Sequence, residues 1–233
     1  MNVIRKERWL IASFSKPQIA LSWAIYGGGR IKTKTVAWHQ VKQQELKPPV
    51  DAKQFLGSRL MENAMPDAVG MLTSADLDAY ADVQKTDEGL SVRSVATVGM
   101  DNALRVGDPV RLKSLPQTHQ EMSRDPVRIG TINLLCAVSI PISEEAHLEA
   151  LSIAVEARTT AVLEAKIPST ETGRPATGTG TDCVVIIAPC AVKSSAVEQM
   201  NRLEGYAGKH TLLGRLIGES VFEAVSIGLE RWK

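Results

Sequence analysis

The chain has 233 residues, a length that suits one large domain or two small ones and lets most of the surface be buried. Hydrophobic residues make up 44% of it and charged residues 23%, which is the balance of an ordinary globular protein. The formal net charge is +1, from 27 basic and 26 acidic residues, so the composition does not favour a nucleic-acid partner, whose phosphates select a clustered basic surface.

The first half of the chain predicts short strands separated by turns. Four segments have the apolar or alternating pattern of strands: 7–14, 33–38, 71–76 and 91–100. Three consecutive glycines, 27–29, mark a sharp turn or a close approach of another group to the backbone. A loop over 46–51 leads into a predicted short helix over 52–62, and residues 101–109 have the asparagine, glycine and proline of a turn.

The second half of the chain predicts two central strands connected by a helix. Residues 130–140 and 182–189 are apolar on both faces, as strands in the middle of a sheet are. A helix is expected between them, with Ser143 as its N-cap and Pro168 at its end. The buried stripe of this helix is predicted to consist of Leu148, Leu151, Val155 and Val162.

The C-terminal segment 211–232 predicts a second long helix. Gly214 and Gly218 lie four residues apart on it and predict close backbone packing there. Its apolar face is expected to contain Leu213, Leu216, Ile217, Val221, Ala224 and Val225. The polar stretch 111–128 is expected to be a surface excursion. Because the sequence has no internal repeat and no flexible linker, we predict one domain over 1–233, of the α/β or α+β class, with a mixed sheet and packed helices.

The cysteines and the N-terminus bear on the cellular compartment. Cys136, Cys183 and Cys190 lie in or beside apolar runs and form no C-x-x-C pair, which predicts buried free thiols in a reducing compartment. The N-terminus is charged too early for a signal peptide, and no segment reaches the roughly 20 apolar residues of a membrane helix. We therefore expect a cytoplasmic protein without a membrane partner.

The segment ATGTGTDCVVI, residues 176–186, is distinctive but matches no common phosphate motif. A dinucleotide fingerprint would need another glycine in place of Cys183 and a helix where a strand is predicted. No G-K-[ST] follows these glycines, and no G-x-S-x-G occurs in the chain. The four histidines are scattered, so we predict no metal site, although one assembled from distant residues is left open.

The loop over 168–181 is the longest irregular stretch in the chain, and loops of this length in compact domains are usually functional or disordered. Its glycines allow a ligand to reach the backbone N–H groups, and Thr177, Thr179 and Thr181 add hydroxyl donors. Asp182 offers an anionic acceptor or a general base. This array fits a ligand with many amide or phosphate oxygens, or the oxyanion of acyl transfer. The alternative is that the loop only makes turns and that Asp182 ties it to itself.

Seven segments carry a wider resemblance. In chain order they are YGGG (26–29), VGMLTSAD (69–76), VATVGMDNALRVGDP (95–109), GTINLL (130–135), EALSIAVEARTTAVLE (149–164), PATGTGTDCVVIIAP (175–189) and YAGKHTLLGRLIGESVFEA (206–224). Together they resemble the adenosylcobinamide amidohydrolase family of corrinoid salvage, with ATGTGTD and YAGKHTLLG as the most specific. In two places the chain departs from the family pattern. His39 stands where we expect asparagine, and the stretch 112–126 is longer and more polar than expected.

The resemblance implies an enzyme that hydrolyses the aminopropanol amide of adenosylcobinamide and leaves adenosylcobyric acid for cobalamin biosynthesis. Its substrate would be a large, flat corrin ring fringed with amides. The resemblance implies no permanently bound cofactor, since the cobalt corrinoid is the substrate, and it leaves a homo-oligomer open. A second class of function is a corrinoid-binding carrier or sensor without chemistry. A third, a nucleotide-binding enzyme, is disfavoured by the missing phosphate motifs.

Amide hydrolysis needs an activated nucleophile, a stabilised oxyanion and a protonated leaving amine. The candidate catalytic residues are Asp182 and Glu156 as bases, with Glu156 alternatively a substrate ligand, and His210 as the acid. Their structural alternatives are a turn cap, a solvated helix face and a loop cap, respectively. Either Thr131 or Thr181 could be a covalent nucleophile only with a base beside it.

Substrate contacts are predicted for residues that offer small donors, amides or bare backbone: Gly28, Asp76, Asn102, Thr131, Asn133, Thr177, Gly178, Thr179, Gly180 and Thr181. Asn133 lies inside an apolar strand, where an unpaired amide would be costly. Its side chain therefore needs a partner, which is either another part of the protein or the substrate.

Overall fold

An eight-stranded mixed sheet organises the chain in the computed structural model, which describes residues 1–109, 130–191 and 203–232. The strands of this sheet are β1 (Asn2–Lys6), β2 (Trp9–Ser22), β3 (Gly29–Gln40), β4 (Val69–Thr73), β5 (Ala81–Asp87), β6 (Leu90–Val98), β8 (Ile132–Val138) and β10 (Cys183–Pro189). A separate two-stranded ribbon pairs β7 (Ala103–Leu104) with β9 (Gly178–Thr179). The helices in the described part are α1 (Ala52–Glu62), α2 (Glu144–Glu164) and α3 (Leu212–Trp232), with short 3-10 turns at Gln43–Leu46 and Leu77–Ala79.

The strand order in the sheet is β4-β3-β2-β10-β8-β6-β5, with β1 added alongside β2. The predicted central strands are confirmed, because β8 lies between β10 and β6, and β10 lies between β2 and β8. β8 and β10 run parallel and are joined through α2, which is the usual connection between parallel neighbours. Their starting ends therefore meet at one edge of the sheet.

Both faces of the central strands are covered. On one face, Leu134 and Ile186 pack with residues of α2 and α3. On the other face, Leu135 and Val185 pack with residues of the N-terminal strands, including Trp38. Helix α1 covers a third, smaller cluster over β3 and β4. The mixed sheet with packed helices that the sequence predicted is confirmed.

Strand β2 extends well beyond the predicted segment 7–14. Its pairing with β3 shifts register between Ser13 and Gln18, and Pro17 lies in this irregular stretch. A proline is tolerated there because the ladder does not need its missing N–H. The irregularity divides β2 into two parts, of which residues 9–13 pair with β1 and residues 18–22 pair with β10.

Helix α2 begins where the sequence predicted, with Ser143 Oγ accepting a hydrogen bond from the backbone N–H of Ala146 at 3.1 Å. The predicted buried stripe is wrong at Leu148, which is 61% exposed. The residues buried along α2 are instead mostly small: Ala146, His147, Ala150, Ile153, Ala154, Ala161 and Val162. Because α2 packs against both the sheet and α3, its buried face centres on alanines that permit close approach.

The apolar face predicted for α3 is confirmed, since all six of its residues are buried. Close packing is confirmed at Gly214, where an added Cβ would lie 2.1 Å from the carbonyl oxygen of Gly208. It is wrong at Gly218, whose Cβ would meet no atom within 4 Å. Gly228 makes a close contact instead, because its Cβ would lie 2.4 Å from Val98 Cγ2.

The remaining predictions concern α1, the glycine turn, the cysteines, the polar stretch and membrane helices. Helix α1 spans the predicted residues 52–62, and the glycines of 27–29 make the expected turn, with φ of +64° at Gly27 and +86° at Gly29. Cys136 and Cys183 are buried and Cys190 is half-buried, all three as free thiols. The polar stretch 111–128 lies outside the described residues. Among the described helices, none is long and apolar enough to cross a membrane.

Candidate functional site

The glycine–threonine loop, residues 176–182, lies at the sheet edge where β8 and β10 begin. It is anchored to the turn after β6: the N–H of Thr177 donates to Leu104 O at 2.9 Å, and Thr177 Oγ1 accepts from the N–H of Val106 at 2.8 Å. The β7–β9 ribbon continues this contact. Gly180 and Thr181 at the end of the loop are exposed. The loop is thus fixed at one end and open to solvent at the other.

The carboxylate of Asp182 organises this loop. Its Oδ1 accepts from the N–H of Ile132 at 2.9 Å and from Thr179 Oγ1 at 2.5 Å. Its Oδ2 accepts from the N–H of Thr179 at 2.9 Å, and Arg158 Nη1 lies 3.5 Å away. The side chains of Asp182 and Arg158 are only 7% and 11% exposed. This geometry matches the structural alternative for Asp182, in which the carboxylate ties the loop to itself.

Gly178 is required by the same arrangement. A Cβ at this position would lie 2.2 Å from Asp182 Oδ2, so any side chain would displace the carboxylate. Gly180 is not required on steric grounds, because its Cβ would sit at an ordinary contact of 3.4 Å from Leu104 Cδ1. Steric packing against Asp182 therefore requires glycine at position 178, but packing does not require it at position 180.

Hydroxyl and amide groups join the starts of β8 and β10. Thr181 Oγ1 donates to Gly130 O at 3.2 Å, and Thr131 Oγ1 donates to Thr181 O at 3.0 Å. Asn133 Nδ2 donates to Leu72 O at 2.7 Å, so the partner that its buried amide requires is provided by the protein. We call Thr131, Asn133, Thr179, Thr181 and Asp182 the edge network.

The other predicted contact residues lie around this edge in different settings. Asn102 Oδ1 is buried without a hydrogen-bond partner among the described residues, and it packs against Gly130, where a Cβ would lie 2.5 Å from it. A Cβ on Gly28 would lie 2.4 Å from Ala24 O. Asp76 caps the 3-10 turn at Leu77–Ala79 by accepting from the N–H of Asp78 at 2.9 Å.

Neither Glu156 nor His210 belongs to the edge network: Glu156 is exposed on α2, and His210 is exposed in the segment before α3. Glu156 is half exposed and pairs with Lys209 Nζ at 2.5 Å, and His210 follows Lys209 in the chain. The same segment is anchored by the N–H of Ala207, which donates to Glu149 Oε2 at 2.7 Å. We call Glu156, Lys209 and His210 the helix-surface cluster.

Helix α2 supplies a residue to each group. Glu156 belongs to the helix-surface cluster, and Arg158 contacts the edge network. Two residues along a helix correspond to about 200° of rotation and about 3 Å of rise, so the two groups lie on different faces of α2 at nearly the same height. The structure therefore brings Glu156 to Lys209, the chain neighbour of His210, and places Glu156 on a different face of α2 from the contact between Arg158 and Asp182.

Two residues of this region were missed by the sequence reasoning. Arg158 lies in the matched segment EAR, but only the contact with Asp182 reveals its place. Trp23 donates its indole N–H to Asp182 O at 2.6 Å and is 47% exposed. Its position three residues before YGGG was the only signal that could have found it.

The neighbouring thiol and the acidic groups offer no nucleophile or metal ligand set. Burial, followed by the charge of Asp182, raises the pKa of the Cys183 thiol to about 12, so it is not a thiolate at neutral pH. Within residues 1–109, 130–191 and 203–232, no three histidine, cysteine or acidic side chains are grouped to hold a metal ion.

Comparison with known proteins gives a family for this arrangement. A family model described as adenosylcobinamide amidohydrolase matches residues 1–233. A protein of Methanosarcina mazei named adenosylcobinamide amidohydrolase is 26% identical over 204 residues, covering 87% of this chain and 86% of its own. An uncharacterised protein of Methanocaldococcus jannaschii is 29% identical over 160 residues, covering 66% of this chain and 59% of its own.

The chain also aligns with two solved structures. A protein of Pyrococcus horikoshii aligns with a TM-score of 0.43 and 14% identity, over 96% of this chain and 78% of the other. A beta-aminopeptidase from a Burkholderia species aligns with a TM-score of 0.45 and 12% identity, over the same shares of 96% and 78%.

Proposed function

The chain belongs to the adenosylcobinamide amidohydrolase family, and we propose that it hydrolyses the aminopropanol amide of adenosylcobinamide to give adenosylcobyric acid for cobalamin biosynthesis. The observation that carries this proposal is the match of the family model to all of residues 1–233. The relative from Methanosarcina mazei, which carries the same name, supports it over most of both chains.

The open end of the glycine–threonine loop suits the periphery of such a substrate. Gly180 and Thr181 are exposed, while Asp182 holds the backbone beneath them in one conformation. A preorganised loop loses little entropy when it binds, and its exposed polar groups match a fringe of amides. We assign substrate binding to the exposed Gly180 and Thr181, and to the buried members of the edge network the role of holding them in place.

The acid–base roles follow from accessibility. The oxygens of Asp182 are occupied by Thr179, Ile132 and Arg158, so we assign it a positioning role. Glu156 and His210 are both exposed, and Glu156 pairs with Lys209, the chain neighbour of His210, so we assign them the roles of base and acid.

A product assay tests the proposal. Purified protein is incubated with adenosylcobinamide, with and without a chelator, and released aminopropanol and the corrinoid acid are measured by mass spectrometry. We expect stoichiometric release of both products. Equilibrium binding of cobinamide without product over hours would instead indicate the carrier or sensor function, and loss of turnover with the chelator would reveal a metal requirement.

A further inference from the structure

Trp23 is an exposed tryptophan directly beside the glycine–threonine loop. Its side chain is 47% exposed, whereas Trp9 and Trp38 are 5% and 0% exposed. The exposed part of an indole is a large apolar surface, and tryptophan is among the residues that contribute most at binding surfaces. Its exposure is relevant to binding because a hydrogen bond to Asp182 holds the ring in place.

The indole is fixed by the residue that orders the loop. Trp23 Nε1 donates to Asp182 O at 2.6 Å, and the Asp182 carboxylate is in turn held by Thr179 and Ile132. This bond engages the single polar atom of the ring, so the rest of its surface is apolar. An exposed side chain that is already fixed in orientation loses little entropy on binding, which is the property of a preorganised contact.

A second exposed apolar side chain lies close to Trp23 in the chain. Ile25 is 39% exposed, while Ala24 between them is buried. Gly29 nearby would place a Cβ with no atom within 4 Å, so its backbone borders open space. Tyr26, by contrast, has a structural position, with its hydroxyl donating to Pro66 O at 3.0 Å.

We propose that Trp23 and Ile25, together called the Trp23 surface, receive the flat face of the corrin macrocycle. This inference rests on the proposed function, which makes a corrinoid the substrate. Such a substrate has an apolar ring face and polar amides at its rim. The Trp23 surface offers an apolar platform, and the adjoining Thr181 and Gly180 offer polar contacts for the rim. Trp23 is thus a substrate-binding residue with no part in proton transfer.

The test compares Trp23→Ala and Trp23→Phe with the unchanged protein. The Kd of adenosylcobinamide is measured by ultrafiltration with all proteins also carrying Glu156→Gln, which slows hydrolysis of the ligand, using the absorbance of the corrinoid itself. Leu148→Ala, which removes an exposed apolar side chain from α2, is the control. We expect Trp23→Ala to weaken binding roughly 10- to 100-fold, and Trp23→Phe to weaken it by less, because a ring remains. In turnover assays KM should rise while kcat stays within a factor of about two, as for a contact made equally in the ground and transition states.

Measuring the Kd of cobinamide that lacks the adenosyl group distinguishes contact with the corrin ring from contact with the adenosyl group. An equal loss for both ligands supports contact with the macrocycle, and a loss confined to the adenosyl form would overturn it. If adenosylcobinamide is hydrolysed normally and Trp23→Ala binds it with unchanged Kd, this inference alone fails. If the unchanged protein neither binds nor hydrolyses a corrinoid, both proposals fail. A change in oligomeric state caused by Trp23→Ala, seen by size-exclusion chromatography, would make Trp23 a subunit contact and overturn the inference.

Discussion

Asp182 is held so completely that changing its charge should first affect folding. An asparagine in its place has one oxygen and one NH₂ group, and either orientation turns the NH₂ towards a backbone N–H, that of Ile132 or of Thr179. The change also removes the carboxylate charge that faces the buried guanidinium of Arg158. We expect Asp182→Asn to lower the free energy of unfolding by about 2 to 4 kcal/mol in urea denaturation.

Asp76→Asn is the matched control, because asparagine is also a good N-cap and Asp76 is an exposed residue that caps a short 3-10 turn. Its free energy of unfolding should change by less than about 0.5 kcal/mol. If Asp182→Asn kept full stability and yet abolished turnover, Asp182 would be a catalytic base and our positioning role for it would be wrong.

Glu156 and His210 permit a cleaner kinetic experiment. The pair between Glu156 and Lys209 is exposed, so removing it costs little stability. We expect Glu156→Gln and His210→Gln each to lower kcat roughly 100-fold or more with little change in KM, since general acid–base groups contribute about this much. Steady-state kinetics with adenosylcobinamide measure both constants.

The control for these two variants is Glu164→Gln, which changes the exposed last residue of α2. Its kcat should equal that of the unchanged protein. Unchanged kcat in both test variants would remove the helix-surface cluster from the chemistry.

At the scale of elements, two of the three glycines of α3, Gly214 and Gly218, have opposite environments. Alanine at Gly214 would place its Cβ 2.1 Å from Gly208 O and 2.4 Å from Ala207 O, so the loop that carries Lys209 and His210 must move. Alanine at Gly218 meets open space and gains helix propensity. We expect Gly214→Ala to destabilise the protein by about 1 to 3 kcal/mol and Gly218→Ala to stabilise it by as much as about 1 kcal/mol.

Thermal and urea unfolding of the two variants give the comparison directly. Gly214→Ala should also lower kcat, since it displaces the segment that carries His210. Equal stability of the two variants would mean that the 206–211 segment does not pack against the start of α3 as described.

The elements that could be predicted from sequence are those whose pattern is local. Helix α1, the N-cap Ser143 and the central strands β8 and β10 depend on caps and continuous apolar runs, which a single segment displays. The full extent of β2 could not be predicted, because its second part is a strand only through pairing with β3 and β10. Pairing between segments that are distant in the chain cannot be predicted from a short window of residues.

The candidate site could likewise be predicted from the sequence only where its residues are close together in the chain. The clustering of Thr179, Thr181 and Asp182 follows from their adjacency in one loop. The contact between Trp23 and Asp182 joins residues 159 positions apart, so no spacing rule could reveal it. The separation of Glu156 from Asp182 likewise depends on which face of α2 turns towards the sheet, and the alanines that dominate this face were not predicted.

At the scale of the whole molecule, the sheet has a third packed region beneath α1, and a histidine is buried there. His39 is 4% exposed, its ring centroid lies 4.2 Å from that of Trp9, and neither ring nitrogen has a hydrogen-bond partner among the described residues. Burial, followed by the charge of Arg8, lowers the pKa of His39 to about 4. The folded protein therefore takes up this proton only well below the pH at which the unfolded chain does.

This difference makes the stability of the whole domain depend on pH. Between the unfolded pKa of about 6.5 and the folded pKa of about 4, the unfolded chain binds more protons, so the free energy of unfolding falls as the pH falls through that window. The loss attributable to His39 can reach about 3 kcal/mol. His39→Leu removes the titrating group and keeps an apolar side chain against Trp9.

Urea denaturation of both proteins from pH 8 to pH 4 isolates this contribution. The pKa of the neighbouring Glu45 is lowered to about 2, mainly by its hydrogen bond from Arg8, so it stays ionised throughout, and the titration of His147 is common to both proteins. The difference in the free energy of unfolding between His39→Leu and the unchanged protein should be constant above about pH 7. It should shift in favour of His39→Leu as the pH falls through the window between the unfolded and folded pKa values of His39. Parallel curves over the whole range would mean that His39 titrates at its ordinary pKa, and that the region beneath α1 is open to water.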